Sequence, residues 1–322
     1  MKTRQLIALL LAMPLQAIAQ VDYSVVSVNE EAGIDFTCIT SENDYVCMPQ
    51  VKRSGGKINW QSNRIIDISV DGSQLAYLSD RNKTTNIFIK DVDKQGSSVQ
   101  RTNRQSVIDF AYSPDGQYLC FSEKSGRFHQ IYQTSAKNGY ICRQITSNNS
   151  DFSPVYSNDM KNVFFARKEA KGNSIWSYNI ANNFLTYYTK GMNPCPLTAN
   201  TMLCTRTNAQ GQSEIWRVDF ESGIEECVVS DPNRSFTTPS LSPDGKWILM
   251  VGSNTVMNGK KRHVNTDIFV CHPDGTNLSQ LTYHGADDLS PTWSRDGRYI
   301  YFISQRGSAT ATANVWRMTF VL

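Results

Sequence analysis

Beyond its first residues, the 322-residue sequence has no apolar run long enough to cross a membrane, because a helical span needs about 20 apolar residues in succession. It has no Gly-x-Ser-x-Gly elbow, no His-Glu-x-x-His helix and no phosphate-cradling glycine loop, which removes the commonest hydrolase, metalloprotease and nucleotide-binding signatures. Ser54-Gly55-Gly56-Lys57 matches a Ser-x-x-Lys pattern but lies in a glycine-rich connector with no Ser-Asp-Asn or Lys-Thr-Gly to support it. Asp91-x-Asp93-x-x-Gly96 lacks the later glutamate of a calcium loop and falls where a strand-to-strand turn belongs. Histidines number only four, and His263, His284 and Asp287 follow no ligand spacing. No catalytic residue, metal or cofactor is expected. An excess of one charge is also missing: without Lys2 and Arg4 the remaining basic residues nearly balance the 29 acidic ones. Such a chain carries no nucleic-acid footprint.

What is present begins with Lys2 and Arg4, an apolar run from Leu6 to Leu15, and Ala17-Ile18-Ala19. This is the pattern of a secretory signal peptide, residues 1–19, cleaved before Gln20. Gln20 stands where a lipoprotein would carry cysteine. The mature chain is therefore expected in the periplasm, as a monomer without a transmembrane span.

The rest of the chain repeats. Val70-Asp71-Gly72, Ser113-Pro114-Asp115-Gly116, Ser242-Pro243-Asp244-Gly245 and Ser294-Arg295-Asp296-Gly297 close similar apolar runs, and Asn158-Asp159-Met160 and Ala199-Asn200 are degenerate copies. Positions 72, 116, 160, 200, 245 and 297 are spaced by 44, 44, 40, 45 and 52 residues. Downstream of each turn a β-branched residue precedes an aromatic: Ile87-Phe88, Ile131-Tyr132, Ile175-Trp176, Ile215-Trp216, Ile268-Phe269 and Val315-Trp316. Asp-Gly between apolar runs predicts a tight hairpin, with type I′ the turn that best uses the glycine. Runs such as Tyr118-Leu119-Cys120-Phe121 are apolar on both faces, as in a strand sandwiched between sheets. Four short antiparallel strands, a to d, at this period predict an all-β, six-bladed β-propeller over residues 61–322. The sixth copy stops after its third strand, so the segment 20–60 should supply the closing strand, from residues 36–40 or from near Lys57-Ile58-Asn59.

The copy from Leu289 to Phe302, with Asp267-Ile268-Phe269-Val270 before it, resembles the WD40-like (PD40) repeat of TolB-type periplasmic propellers, over residues 60–322. The resemblance implies a non-enzymatic cell-envelope protein whose propeller docks proteins or peptides. Residues 20–60 are too short for the separate N-terminal α/β domain of TolB itself. The same repeat gates prolyl-oligopeptidase-like peptidases, but the chain has no room for their hydrolase domain. Two rival functions remain: a carbohydrate-active propeller resembling uronate lyases, and a structural component peripheral to an envelope complex.

In such a blade the b–c and d–a connections share one face, opposite the Asp-Gly turns. The six b–c segments carry twelve cations against five anions, so this face should steer an acidic peptide or an acidic envelope-protein surface toward the channel mouth. The candidate partner-binding residues are Arg81, Arg127, Arg167, Arg206, Lys260, Lys261, Arg262, His263 and Arg306. The longest b–c segment, residues 252–267, holds four of them. All eight cysteines lie beyond the signal peptide. A two-residue turn at Ala199-Asn200 would set Cys195 opposite Cys204, and Cys38 and Cys47 have the same separation, so each pair is a candidate cross-strand disulfide or a pair of free thiols.

Overall fold

The computed structural model describes residues 31, 33–49, 51–54, 57–60, 64–94, 96–147, 149–258, 261–308 and 310–320; for 51–54, 57–60, 255–258 and 261–263 it describes the backbone alone. The expected signal peptide and Lys260 lie outside these residues. Six four-stranded antiparallel sheets stand in a ring, making a six-bladed β-propeller with almost no helix. No helix among the described residues is long and apolar enough to cross a membrane.

Blade 1 contains Ile66–Ile68, Gln74–Ser79, Asn86–Asp91 and Val99–Gln100; blade 2 contains Val107–Tyr112, Tyr118–Ser125, Phe128–Ser135 and Ile141–Gln144. Blade 3 runs Asp151–Tyr156, Asn162–Glu169, Gly172–Asn179, Leu185–Lys190, and blade 4 runs Met192–Pro196, Thr201–Thr207, Ser213–Asp219, Glu225–Val229. Blade 5 is Phe236–Leu241, Ile248–Asn258, Lys261–Cys271 and Ser279–Gln280. Blade 6 takes Asp288–Trp293, Tyr299–Ser304 and Asn314–Thr319 from the end of the chain, with Phe36–Cys38 paired outside them, Phe36 opposite Met318 and Cys38 opposite Trp316. Lys57–Trp60 instead pairs with Val51–Ser54 in a separate hairpin.

The Ser-x-Asp-Gly turn explains the repeat chemically, although it is not type I′. Only the glycine adopts a left-handed φ, +72° at Gly116, and its N–H donates to the Ser113 carbonyl at 2.9 Å. The Asp115 carboxylate accepts from Ser113 Oγ at 2.5 Å and from the Gln117 N–H at 3.0 Å. A side-chain cap therefore replaces the second left-handed residue that type I′ would require. Met160 takes the glycine's place in blade 3, with φ +60°, because Asp159 makes the same bonds.

Strand b of each blade is the packing centre. Phe121, Phe165 and Phe302 are fully buried, each contributing about 1.5–3 kcal/mol by leaving water. Polar links between inner strands join each blade to the next. Asp67 accepts from the Tyr112 N–H (2.9 Å), Asp109 from the Ser153 N–H (2.8 Å), Ser153 from Asn193 (3.3 Å) and Asn193 from Thr237 (3.1 Å). Trp293 Nε1 donates to the Ser240 carbonyl (3.2 Å), and the Ile65 N–H to Ser290 Oγ (2.9 Å).

The inner strands of blades 3 to 6 bulge at a left-handed residue before proline: Ser153, Asn193, Thr238 and Ser290. In blade 4 it is the turn after Pro196, longer than two residues, that sets Pro196 opposite Met202 and so Cys195 opposite Leu203, not Cys204. Cys195 then packs toward blade 5 with Phe236 and Met250, whereas Cys204 packs toward blade 3 with Phe164 and Ile175. The chain also turns over residues 197–200, with Leu197 and Thr198 both donating to the Thr201 carbonyl. Cys195, Cys204, Cys38 and Cys47 are all free thiols. Cys38 sits in blade 6, while the Cys47 N–H bonds the Leu78 carbonyl of blade 1.

Candidate docking face

The face opposite the Asp-Gly turns is built less from loops than from strand ends. Strands b and c continue as ladders to short turns: Ser125 pairs with Phe128, Glu169 with Gly172, and Asn258 with Lys261. Arg167, Arg206, Lys261, Arg262 and His263 are thus held at fixed register on strands, whereas Arg81, Arg127 and Arg306 lie in turns.

Of the five arginines among them whose side chains are described, four pair with carboxylates of the same chain. Arg81 Nη2 lies 3.0 Å from Asp44 Oδ1 and its guanidinium stacks over Phe88. Arg167 grips Asp151 with two bonds, 2.7 and 3.0 Å, and lies over Trp176. Arg206 holds Glu225 by 2.7 and 2.8 Å contacts and covers Trp216. Arg306 is fully buried between Asp288 at 2.6 Å and Glu31 at 3.2 Å, flanked by the Phe36 and Phe302 rings. These planar forks match carboxylates and stack on rings, as guanidinium geometry favours. The strand-c aromatic that marked the repeat is, in blades 1, 3 and 4, the platform for such an arginine.

Arg127 differs. It stands exposed at the blade 2 turn, over Phe128, with no carboxylate partner among the described residues. Lys83, Lys124, Lys168 and Lys171 are likewise exposed and unpaired with described carboxylates. Lys261, Arg262 and His263 follow the turn of the blade 5 hairpin, opposite Asn258, Met257 and Val256. Among the residues whose side chains are described, uncompensated positive charge is concentrated on blades 2 and 3, where Lys124 and Lys168 occupy equivalent positions: each N–H bonds the carbonyl of the serine preceding its blade, Ser106 or Ser150.

His129, opposite Lys124 in the ladder, is half-buried; burial holds its pKa below the ordinary value, with Lys124 and Lys168 adding to the effect. It lines a cavity of about 410 Å³ between blades 1 and 2 and the N-terminal segment, with Asp80, Lys124, Met48, Pro49 and Ile65 among its walls. Sequence reasoning missed His129, because only the fold brings it beside Lys168 and the N-terminal Met48.

Between blades 5 and 6, Asp267 is buried, and that burial, reinforced by Asp288, pushes its carboxyl up to about 8. His284 and Asp287 are nearby but engaged. The His284 carbonyl accepts from Asn265 and its Nδ1 from the Ala286 N–H, while Asp287 accepts from Thr266. Among the described residues no group of three His, Cys, Asp or Glu is placed to hold a metal.

No protein-family model matches the chain. Its fold is that of a TolB-like six-bladed propeller. A TolB-type protein of Agrobacterium tumefaciens superposes with a TM-score of 0.62 at 17% identity, over 90% of this chain and 98% of that one. TolB of Acinetobacter baumannii gives 0.58 at 16% identity over 77% of this chain and 64% of its own length. Oligogalacturonate lyase of Vibrio parahaemolyticus gives 0.58 at 11% identity over 91% and 95%.

Proposed function

We propose that the chain is a periplasmic, non-enzymatic docking propeller of the cell envelope, binding an acidic peptide or protein surface on the face that carries the b–c turns. What supports this reading is the division among its cations. Arg81, Arg167, Arg206 and Arg306 are neutralised by carboxylates of the same chain, whereas Lys124, Arg127, Lys168 and Lys171 stand exposed on two adjacent blades. Charge of this kind steers an anionic partner and loses its effect with salt. The test is Lys124→Glu with Lys168→Glu, followed by crosslinking and recovery of partners from the native envelope. Loss of an envelope protein, recovered by the unaltered chain and released by salt, supports docking here. Unchanged recovery moves docking to the disc edge, where Tyr140, Phe184 and Ile224 are exposed on successive blades.

The near-full-length superposition on oligogalacturonate lyase favours a second reading, a carbohydrate-active propeller. Unsaturated product from oligogalacturonate, formed by the metal-supplemented purified protein, would establish it.

A further inference from the structure

On the opposite face, between blades 1 and 2, lies a cavity of about 600 Å³. Arg101 and Lys137 line it with the hydroxyl-bearing Tyr112, Tyr118 and Ser135, and no carboxylate is among its walls. Neither cation pairs with a carboxylate among the described residues. Arg101 spends only its Nε, on the Ala136 carbonyl at 2.9 Å.

The neighbouring groove shows what is unusual here. Between blades 2 and 3, Arg143 reaches the Ile180 carbonyl as Arg101 reaches that of Ala136, and Tyr156 stands one residue before its turn serine as Tyr112 does. Tyr156 is satisfied: its hydroxyl accepts from Gln133 Nε2 at 3.1 Å. The position equivalent to Gln133, two residues after the landmark isoleucine, is Ile89 in blade 1. Tyr112, only 6% exposed, consequently has a buried hydroxyl with no hydrogen-bond partner. Buried hydroxyls are seldom left so, because an unmade bond is costly.

We infer that this inter-blade cavity binds a small polar molecule bearing an oxyanion, a carboxylate or a phosphate, held by Arg101 and Lys137 and walled by Tyr112. Paired donors around one oxyanion are the strong class of hydrogen bond. The site faces away from the docking face and stands independently of it.

The test is titration of the purified mature protein at constant ionic strength with D-glucuronate, D-glucose 6-phosphate and D-glucose, followed by amide NMR. Saturable shifts around Arg101 and Tyr112 with at least one of the two acids, and none with glucose, are expected; which acid binds more tightly identifies the oxyanion. Arg101→Gln and Lys137→Glu should each weaken binding by about tenfold or more. Arg101 makes a single side-chain bond, to the Ala136 carbonyl, and Lys137 is exposed, so both variants should remain folded. No saturation with either acid, equal binding of glucose, or binding indifferent to both substitutions would overturn the assignment.

Discussion

Asp44 Oδ2 lies 2.9 Å from Lys90 Nζ, joining the N-terminal segment to strand c of blade 1. The same carboxylate accepts from Arg81, from the Tyr77 hydroxyl at 2.9 Å and from Ser98. A few residues earlier, Thr40 binds Asn314 and the Val315 N–H of blade 6. Asp44 and Thr40 thus attach one short segment to two blades.

Replacing Asp44 by Asn leaves Lys90, whose side chain is 9% exposed, without its counter-charge. Removing one partner of a buried pair costs about 3–5 kcal/mol, so denaturant unfolding of Asp44→Asn should show a loss of that order. Burial works to raise the Asp44 pKa, but hydrogen bonds from Lys90, Ser41 and Tyr77 outweigh it and hold the carboxyl down at about 2. Its contribution is present above the unfolded carboxylate range, near pH 4, and lost as pH falls toward 2. The variant should therefore have a flatter acid-denaturation limb than the unaltered protein.

Asp267 has the opposite sign. With its carboxyl pushed up to about 8, the folded chain keeps a proton that the unfolded chain releases near pH 4. Stability is consequently lost as pH rises from about 4 to 8. Asp267→Asn, which preserves an acceptor for Asn254 (2.7 Å from Asp267 in the native chain), should gain on the native protein as pH increases. Melting curves at the two ends of this window should show the gap widening by several degrees at the alkaline end; a constant gap would refute the neutral Asp267.

Gly139 and Gly275 sit in the c–d turns of blades 2 and 5 with φ +76° and +83°, and a Cβ there would lie 1.7 Å from the Arg101 carbonyl oxygen and 2.1 Å from that of Val228. Gly223 has the same conformation, φ +71°, but open space around it. Alanine at Gly223 should cost about 1–2 kcal/mol for the left-handed backbone alone. At Gly139 or Gly275 the backbone collision adds about 1–3 kcal/mol more, so calorimetry should place both variants below Gly223→Ala.

All eight thiols are free, and buried Cys120, Cys195, Cys204 and Cys271 are shielded from reagent. Alkylation of the folded protein without reductant should therefore label Cys142, Cys38 and Cys227, the exposed ones, before these four. Full labelling of eight should follow on denaturation. A mass deficit of two labels after denaturation would reveal a disulfide.

The repeat was legible because its signals are local. Asp115 caps its own turn through bonds spanning only two residues, and the Ile-aromatic landmarks pack where a period-2 strand must put them. The candidate site was legible only as a charge count. Twelve cations on one face is arithmetic, but whether each has a partner depends on residues far apart in the chain, such as Arg306 and Glu31, 275 positions away. Nothing in Ser41-Glu42-Asn43-Asp44 distinguishes a structural hub from a solvated turn.

By itself, then, the sequence determined the number of blades and the strand and turn pattern within each, since hydrogen bonds and side-chain alternation inside forty-odd residues specify them. Tertiary structure decided which charges remain free, which thiols face apart and which tyrosine hydroxyl is orphaned. Those outcomes depend on the length of the turn between Pro196 and Met202 or on Ile89 standing where the next blade has Gln133, and a side chain's partner is set by the neighbouring blade's register as much as by its own segment.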